Sequence, residues 1–537
     1  MSTSDADSRA VEAPVSPAQL QDALARFAAA LGDDRVLTSQ GDLDSFRDPF
    51  AHRSWDEFTA SAVVMPTTVE EVQEVVRIAN ATGVPLWTHS TGRNNGYGGP
   101  APRVKGSVIV SLRDMDRVLE IDEELGYAIV EPGVRWFDLY EAIQQRGARL
   151  MVSIADIGWG SVIGNTLEHG ATYLPYGLDF QAQCGMEVVL PDGDLLRTGM
   201  GAMEGNRSWS LYRRGLGPTP DQMFMQSNLG IVTKMGVWLM PEPEVAMPLW
   251  LRLWNDDDIG PAMDVLRTLM MDDTIRMVPQ IMSTLLLAGV FGSRDRWYTG
   301  DGPIPDDVID AIGRELECGR WLMRFALFGD EAVVDHRFAK IQRAFADAIP
   351  GAEVWGAKHD PRTLAETLTH PSEKVSCGVP TLELNAQTAW YGGEHGGHVG
   401  FSPILPMTGA DAIAVRDLMR GMVEQAGLDY IAAWIPLSAR SMCHVTLIIF
   451  DTEDEPQARA AYDVCRRLVT EAGRLGYGEY RAHLDFMDLA ADQYGFNDHA
   501  QRRFNERIKD CLDPNGILSP GKQGIWPRRM RRTAGAG

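Results

Sequence analysis

The sequence predicts an α+β chain of more than one domain, and three observations predict it. At 537 residues the chain exceeds what one hydrophobic core ordinarily serves. From Ser61 onward, short apolar strands alternate with amphipathic helices. After the Pro/Glu cluster at 241–244 the texture changes to helices interleaved with β-rich runs such as "CHVTLIIFD".

Each element has a local reason. The opening "MSTSDADSRAVEAPVSP" is polar and acidic and has no apolar h-region, so residues 1–20 are expected to be a disordered segment without a secretory signal. "SAVVMP" reads as a buried strand. "TTVEEVQEVVRIANATG" reads as a helix, with Val69, Val72, Val75, Val76 and Ile78 near helical spacing and Thr67 with Glu70 as its capping pair. "VPLWTHS" and "GSVIVSL" are strands, "RVLEIDEELGYAIVEPGV" a hairpin-like pair, and "RWFDLYEAIQQRG" a second amphipathic helix. "MEVVLPDGDLLRTG" is a β-hairpin turning at Asp192-Gly193. The helix in "NERIKDCLDPNGILSP" stops at Asp513-Pro514 and gives way to an extended tail. The expected domains are 21–245, 246–499 and a segment 500–537 returning to the first.

Bulk properties narrow the partners. Lys+Arg 50 against Asp+Glu 74 gives a net charge of -24, which disfavours nucleic acid and anionic lipid. No apolar run is long enough to span a membrane. The six cysteines have no CxxC spacing, which argues against a structural zinc site or a disulfide framework and fits a cytoplasmic location.

Two glycine-rich loops carry the functional signal. "STGRNNGYGGPAPR" at 90–103 follows a strand but contains no Walker lysine, and Pro100 and Pro102 bar the helix that a nicotinamide fingerprint needs. It is either a row of N–H donors suited to a pyrophosphate or an exposed turn cluster. "ADIGWGSVIGNTLEHGATYLPYG" at 155–177 is the second loop, and together they read as two walls around one large cofactor. Asp156 is either a turn residue or an acid facing that cofactor. His395 and His398 lie among glycines in "YGGEHGGHVGFSP", with no further ligands to make a metal site.

The segments "GRNNGYGG", "DIGWGSVIGN", "GMEVVLPDGDLLRTGMGA", "QSNLGIVTKMG" and "GGHVGFSP" resemble those of the vanillyl-alcohol oxidase family, including its bacterial eugenol oxidases. The resemblance covers nearly the whole chain and implies an FAD-binding domain of two small subdomains beneath an α+β cap domain. It implies that FAD lies against Ser90, Thr91, Gly92, Arg93, Asn94, Asn95, Gly96 and Gly98, and against Pro132, Ile157, Gly160, Ser161, Asn165, Gly170, Gly185, Glu187, Ile231 and Lys522. His398 matches the histidine that carries FAD covalently through its 8α-methyl, and His52 matches a helper that deprotonates it. A neutral imidazole is a competent nucleophile for such an attachment.

The resemblance further implies the chemistry. Tyr97, Tyr480 and Arg481 bind a para-substituted phenol as its phenolate, and hydride leaves the para side-chain carbon for flavin N5, giving a p-quinone methide. Asp156 acts at the side-chain end, and dioxygen reoxidises the flavin to give hydrogen peroxide. The relatives are commonly dimers or larger, which implies a homodimer or higher homo-oligomer. Alternatives are a dehydrogenase of the p-cresol methylhydroxylase type, which passes electrons to another acceptor, and a flavin-binding protein without activity. Two departures stand out: Ala155 replaces a proline near the flavin C4a locus, where oxygen access can be gated, and "PYGLD" (Leu178, Asp179) replaces "PYGDH".

Overall fold

The computed structural model describes residues 11–177 and 179–531. Leu178 and the side chain of Asp179, where the "PYGLD" departure falls, lie outside the described residues. The chain folds around three main sheets. The first has four strands in the order Val36–Leu37, Ala62–Val64, Val108–Ser111, Leu86–His89, the last three mutually parallel. Helix Val69–Thr82 makes the crossover and buries Val69, Val72, Val75, Val76 and Ile78 against the sheet. Each such side chain contributes roughly 1.5–3 kcal/mol relative to exposure. The helix begins one residue later than the sequence predicts. Thr68 caps it by accepting from Glu71 N–H, and the Glu71 carboxylate reaches back to Thr67 N–H at 2.7 Å while pairing with Arg35. Gly83 ends it at φ 75°, a left-handed turn that glycine adopts without strain.

The second sheet is antiparallel, in the order Leu195–Arg197, Gln183–Val189, Ile231–Trp238, Tyr127–Val130, Val118–Asp122. The third belongs to the cap and is antiparallel throughout. Its order is Glu353–Gly356, Val245–Leu253, Trp321–Gly329, Gln280–Ser283, Ile431–Pro436, Ser441–Asp451, Gly396–Phe401, with Ile404–Pro406 pairing on the far end of Ser441–Asp451. Helix Ile259–Met271 packs on Gly409–Gln425, and Glu455–Arg474 on the Ser441–Asp451 and Gly396–Phe401 strands.

Three features differ from the expected domain plan. Residues 11–20 are ordered rather than disordered: Val11–Glu12 pairs with Val104–Lys105, and Ser16 caps helix Pro17–Leu31. Residues 1–10 lie outside the described residues. Left-handed backbone at Asn497, Asp498 and His499 kinks the segment Phe496–Leu512, so the break begins at 497 rather than at the expected 499/500 division. Residues 481–487, placed with the cap by sequence, supply wall residues to the cavity formed by the first two sheets.

The C-terminal segment adds to the four-stranded sheet. Leu518 bridges Leu86 in parallel, with Leu86 N–H donating to the Ile517 carbonyl at 2.7 Å and Ser519 N–H to the Leu86 carbonyl at 2.8 Å. The fully buried Lys509 ammonium fixes this geometry. It donates to the carbonyls of Asn228 and Leu518 and pairs with the buried Asp513 at 2.7 Å. Lys509→Met leaves Asp513 uncompensated, and loss of one partner of a buried pair costs about 3–5 kcal/mol. The expected result is a lowered melting temperature together with new proteolytic cleavage after Leu512. Melting and cleavage like those of the wild type would refute the anchoring role.

Candidate functional site

The strand Leu86–His89 delivers the first glycine loop to a cavity of about 1190 Å³ between the two smaller sheets. Ser90, Thr91, Gly92, Arg93 and Asn94 line it, and the Asn94 carbonyl closes the turn by accepting from Tyr97 and Gly99 N–H groups. Gly92, Gly96, Gly98 and Gly99 all take positive φ. Gly96 and Gly98 are also demanded by space. A Cβ at Gly96 would overlap the His398 imidazole, and one at Gly98 would overlap Leu484. Arg93 does not enter the cavity alone: its guanidinium lies 5.0 Å over the Trp159 ring and joins the two glycine loops.

The second loop supplies the opposite wall. Ser161 caps helix Val162–Leu167, accepting from Gly164 N–H at 2.9 Å and donating to the Pro132 carbonyl at 2.6 Å. Pro132, Gly160, Ser161, Asn165, Ile231 and Lys522 all line the cavity, and Lys522 pairs with Glu168. The other expected cofactor residues are not among those lining the cavity. Glu187 is buried in the five-stranded sheet between Lys234 and Arg197, and its carboxylate is satisfied there. Gly185 packs on Trp209, and Gly170 on the Asn165 side chain. These three, with Asn95, Gly96, Gly98 and Ile157, shape the loops and sheet from behind the cavity wall.

At one end of the cavity Tyr97, Tyr480 and Arg481 converge. The Arg481 guanidinium stacks 4.5 Å over the Tyr97 ring and donates to the Tyr480 hydroxyl at 2.9 Å. Among the described residues no carboxylate lies within ion-pair distance of Arg481, and its Nε is buried without a partner. Burial pushes the Tyr480 hydroxyl well up, so that it stays a hydrogen-bond donor. A cation and two phenolic hydroxyls are thus gathered in one cluster, a donor set suited to an oxyanion.

Asp156 belongs to a network that spans both halves of the molecule. Tyr173 donates to it at 2.7 Å, Gln280 at 3.1 Å, and Arg324 forms an ion pair with it. Arg324 is 1% exposed and also bonds the Gln280 side chain and the Ser372 carbonyl. Sequence reading missed Arg324, Gln280 and Tyr173. The available signal was a charge inside the otherwise apolar strand "WLMRFALFG", which is buried at a cost unless something pairs with it.

His398 lies on strand Gly396–Phe401, its ring 5.1 Å from Phe50 and its Nδ1 buried without a partner. Burial pushes it down to about 4, with Asp48 opposing, so the imidazole is neutral at physiological pH. His52 bonds the Ser54 hydroxyl at 2.8 Å. The charged group beside His398 is instead Asp48, held by His483 Nε2 at 3.0 Å. His395 pairs with Glu453 and takes no part.

Comparisons with known proteins fit this geometry. Residues 60–199 match the family model described as an FAD binding domain, and residues 424–523 match the C-terminal domain of FAD linked oxidases. The flavoprotein subunit of 4-cresol dehydrogenase (hydroxylating) from Pseudomonas putida is 36% identical over 95% of this chain and 96% of its own. A 4-ethylphenol oxidase from Gulosibacter chungangensis, solved with isoeugenol, superimposes with a TM-score of 0.92 at 37% identity, covering 97% of this chain and 100% of that one. A substrate-bound p-cresol methylhydroxylase superimposes at 0.88 and 36% identity, over 96% and 99% of the two chains.

The cavity fits FAD on its own evidence. Thr88 Oγ1 and His89 Nε2 stand on its wall buried and unpartnered, and the loop backbone is free of side chains at Gly92 and Gly160. Gly96→Ala forces a methyl group into His398 and strains a left-handed residue. The expected outcome is a several-fold fall in bound flavin per purified chain, read from the ratio of visible to ultraviolet absorbance. Gly421→Ala, where a Cβ meets nothing within 4 Å, serves as the control and is expected to leave that ratio unchanged.

Proposed function

Because the chain belongs to the vanillyl-alcohol oxidase and p-cresol methylhydroxylase family of phenol-oxidising flavoenzymes, we propose that it is an FAD-dependent oxidase of para-substituted phenols. The observation that carries this reading is Arg481, an enclosed cation with no carboxylate within ion-pair distance, stacked on one tyrosine and bonded to another. A phenol entering there loses its proton and binds as phenolate, its charge balanced by Arg481 and its oxygen bonded by the hydroxyls of Tyr97 and Tyr480. Ionisation pushes electron density to the para carbon and prepares its side chain for oxidation. Bound FAD would supply the two-electron acceptor, with dioxygen as the final oxidant and hydrogen peroxide as its product.

The remaining residues order this chemistry. Asp156, fixed by Arg324, Gln280 and Tyr173, faces the para side chain and takes the proton of a water that adds there. His398 holds FAD covalently: its neutral ring offers an unprotonated nitrogen, and Gly96 leaves it room beside the first loop. Substrates are 4-alkyl-, 4-hydroxybenzyl- or 4-allylphenols, the protein is cytoplasmic, and it works as a homodimer. The similarity to a 4-cresol dehydrogenase subunit favours a second reading, transfer of electrons to an acceptor other than oxygen. Ala155, at the locus that gates oxygen, is where the two readings part.

Three measurements test the function. Tyr97→Phe removes one donor from the oxyanion and is expected to lower kcat/KM for a 4-alkylphenol by roughly 10²-fold, with the flavin content unchanged; unaltered turnover would leave the loop with a cofactor role alone. Denaturing gels of the wild type are expected to show flavin fluorescence on the polypeptide, absent in His398→Ala. Flavin that washes off the wild type sinks the covalent assignment. Reduction by substrate without air, followed by admission of oxygen, is expected to restore oxidised flavin within the turnover time. Slow recovery identifies the dehydrogenase, and Ala155→Pro then tests the gate.

A further inference from the structure

A second cavity meets the first behind the oxyanion cluster. It is a groove of about 1570 Å³, and Gln226, Ser227 and Met487 line both it and the cofactor cavity. One layer of side chains therefore divides the two. The Tyr480-Arg481 pair straddles that partition. Tyr480 lines the groove, Arg481 lines the cofactor cavity, and the guanidinium donates to the Tyr480 hydroxyl at 2.9 Å. Much of the groove wall is apolar, with Met225, Leu229, Ala482, Ala490 and Ile508 among its residues. At its outer edge Phe504 is 61% exposed, Tyr494 46% and Met223 37%. Large apolar side chains gathered at one opening mark a place that receives an apolar partner.

The partition is built to yield. Met487 is unbranched and flexible, and its sulfur accepts from the Gln523 N–H at 3.4 Å. The Gln226 backbone is pinned, its N–H donating to the Leu167 carbonyl at 2.7 Å, while its side-chain amide donates to the Tyr480 carbonyl at 2.6 Å. Water can replace that side-chain bond when the amide rotates. The backbone around the partition is strained. Gln226 at φ 44°, His169 at 54° and Gln523 at 50° are left-handed without being glycine, and all three line the groove. Such residues persist where the surrounding structure forces them, and they gather at functional sites.

The chemistry of the traveller fits this wall. A free phenol, with a pKa near the value of about 10 for tyrosine, is neutral at physiological pH. It is an apolar ring with one hydroxyl, which the groove suits, whereas a phenolate is repelled by a chain of net charge -24. We propose that this groove is the passage by which neutral phenols reach the catalytic end, with the side chains of Gln226 and Met487 as its door. The inference rests on the reading that phenols bind at Tyr97, Tyr480 and Arg481. The phenol keeps its proton while it crosses the apolar groove and ionises beside Arg481, where the charge is balanced. A passage has a kinetic signature that a binding site lacks. It lies between the free and bound states and belongs to neither, so narrowing it slows entry and exit by one factor and leaves Kd unchanged.

The test uses oxidised holoenzyme and 4-tert-butylphenol, which has no hydrogen on the carbon attached to the ring and is not turned over. Binding is followed by stopped flow through the flavin absorbance, and release by dilution of the complex. A490F puts a ring into the groove and is expected to lower kon and koff together by about tenfold, with Kd unchanged. Wild-type rates in A490F of normal flavin content overturn the proposal, and so does a change in Kd with kon unaltered. Should A490F not fold, F504D decides, since Phe504 is exposed and tolerates substitution. A carboxylate at the mouth is expected to slow both rates several-fold, and unaltered rates overturn the proposal. Dithionite-reduced A490F mixed with air-saturated buffer is expected to reoxidise as fast as the wild type. Slowed reoxidation with unaltered phenol kinetics assigns the groove to dioxygen instead and overturns the proposal. Wild type whose flavin spectrum does not respond to the phenol refutes the phenol reading itself, a result distinct from the others.

Discussion

A guanidinium enclosed without a counter-ion is the constraint around which this molecule is arranged. Among the described residues no carboxylate lies within ion-pair distance of Arg481, which stacks on Tyr97 with its Nε unpartnered. Desolvating a cation costs several kcal/mol unless something offsets it, and two aromatic rings and a tyrosine hydroxyl offset only part. The remainder is available to an incoming anion, so affinity for an oxyanion follows from leaving the arginine unpaired. The same constraint explains why Tyr97 must come from a different domain from Tyr480. A stack on one side and a hydrogen bond on the other fix the guanidinium plane only if the loop at 90–99 and the segment at 480–481 are held in register.

Two buried ionic joints provide that register. Asp156 sits in the second glycine loop, and Arg324 in the middle of a cap strand, so their pairing fixes the cap over the cofactor domain. Lys509 does the equivalent for the C-terminal segment, holding Asn228, Leu518 and Asp513 together and thereby placing Lys522 on the cavity wall. Both joints bury a charge, and both satisfy it with several partners. Lost packing at either place leaves an unpaired ion, which punishes misassembly more severely than a missing apolar contact would. The active end is thus assembled only when three segments distant in sequence have docked.

What could be read from the sequence follows the range of the forces involved. The strands and helix between 61 and 112 were legible because apolar spacing and caps act within a few residues; only the cap moved, from Thr67 to Thr68. The glycine loops were legible because positive φ leaves a compositional trace. The partners of Asp156 were not, since Gln280 and Arg324 lie over a hundred positions away along the chain and look like isolated polar residues inside apolar strands. Glu187 misled for the complementary reason. A glutamate in an apolar strand can face a ligand or a lysine, and the pairing with Lys234 two strand positions from the cavity residue Val232 is a matter of register.

His398 shows how closely conformation and chemistry are tied in this fold. Its ring occupies a slot between the first glycine loop and Phe50, and three glycines make the slot. Gly96 leaves space for the imidazole, Gly397 for Phe50 and Thr452, and Gly396 for the backbone at Thr388. Burial in that slot keeps the imidazole neutral, and its Nδ1 has no hydrogen-bond partner. A histidine in water would spend that nitrogen on a hydrogen bond and part of its population on protonation. Asp48, steadied by His483, is the charge close enough to draw a proton from the ring, and it is kept from His398 itself by its bonds to His483 and Phe50 N–H. The neutral, unbonded nitrogen is a property of the slot, and the glycines that make it set the state of the ring.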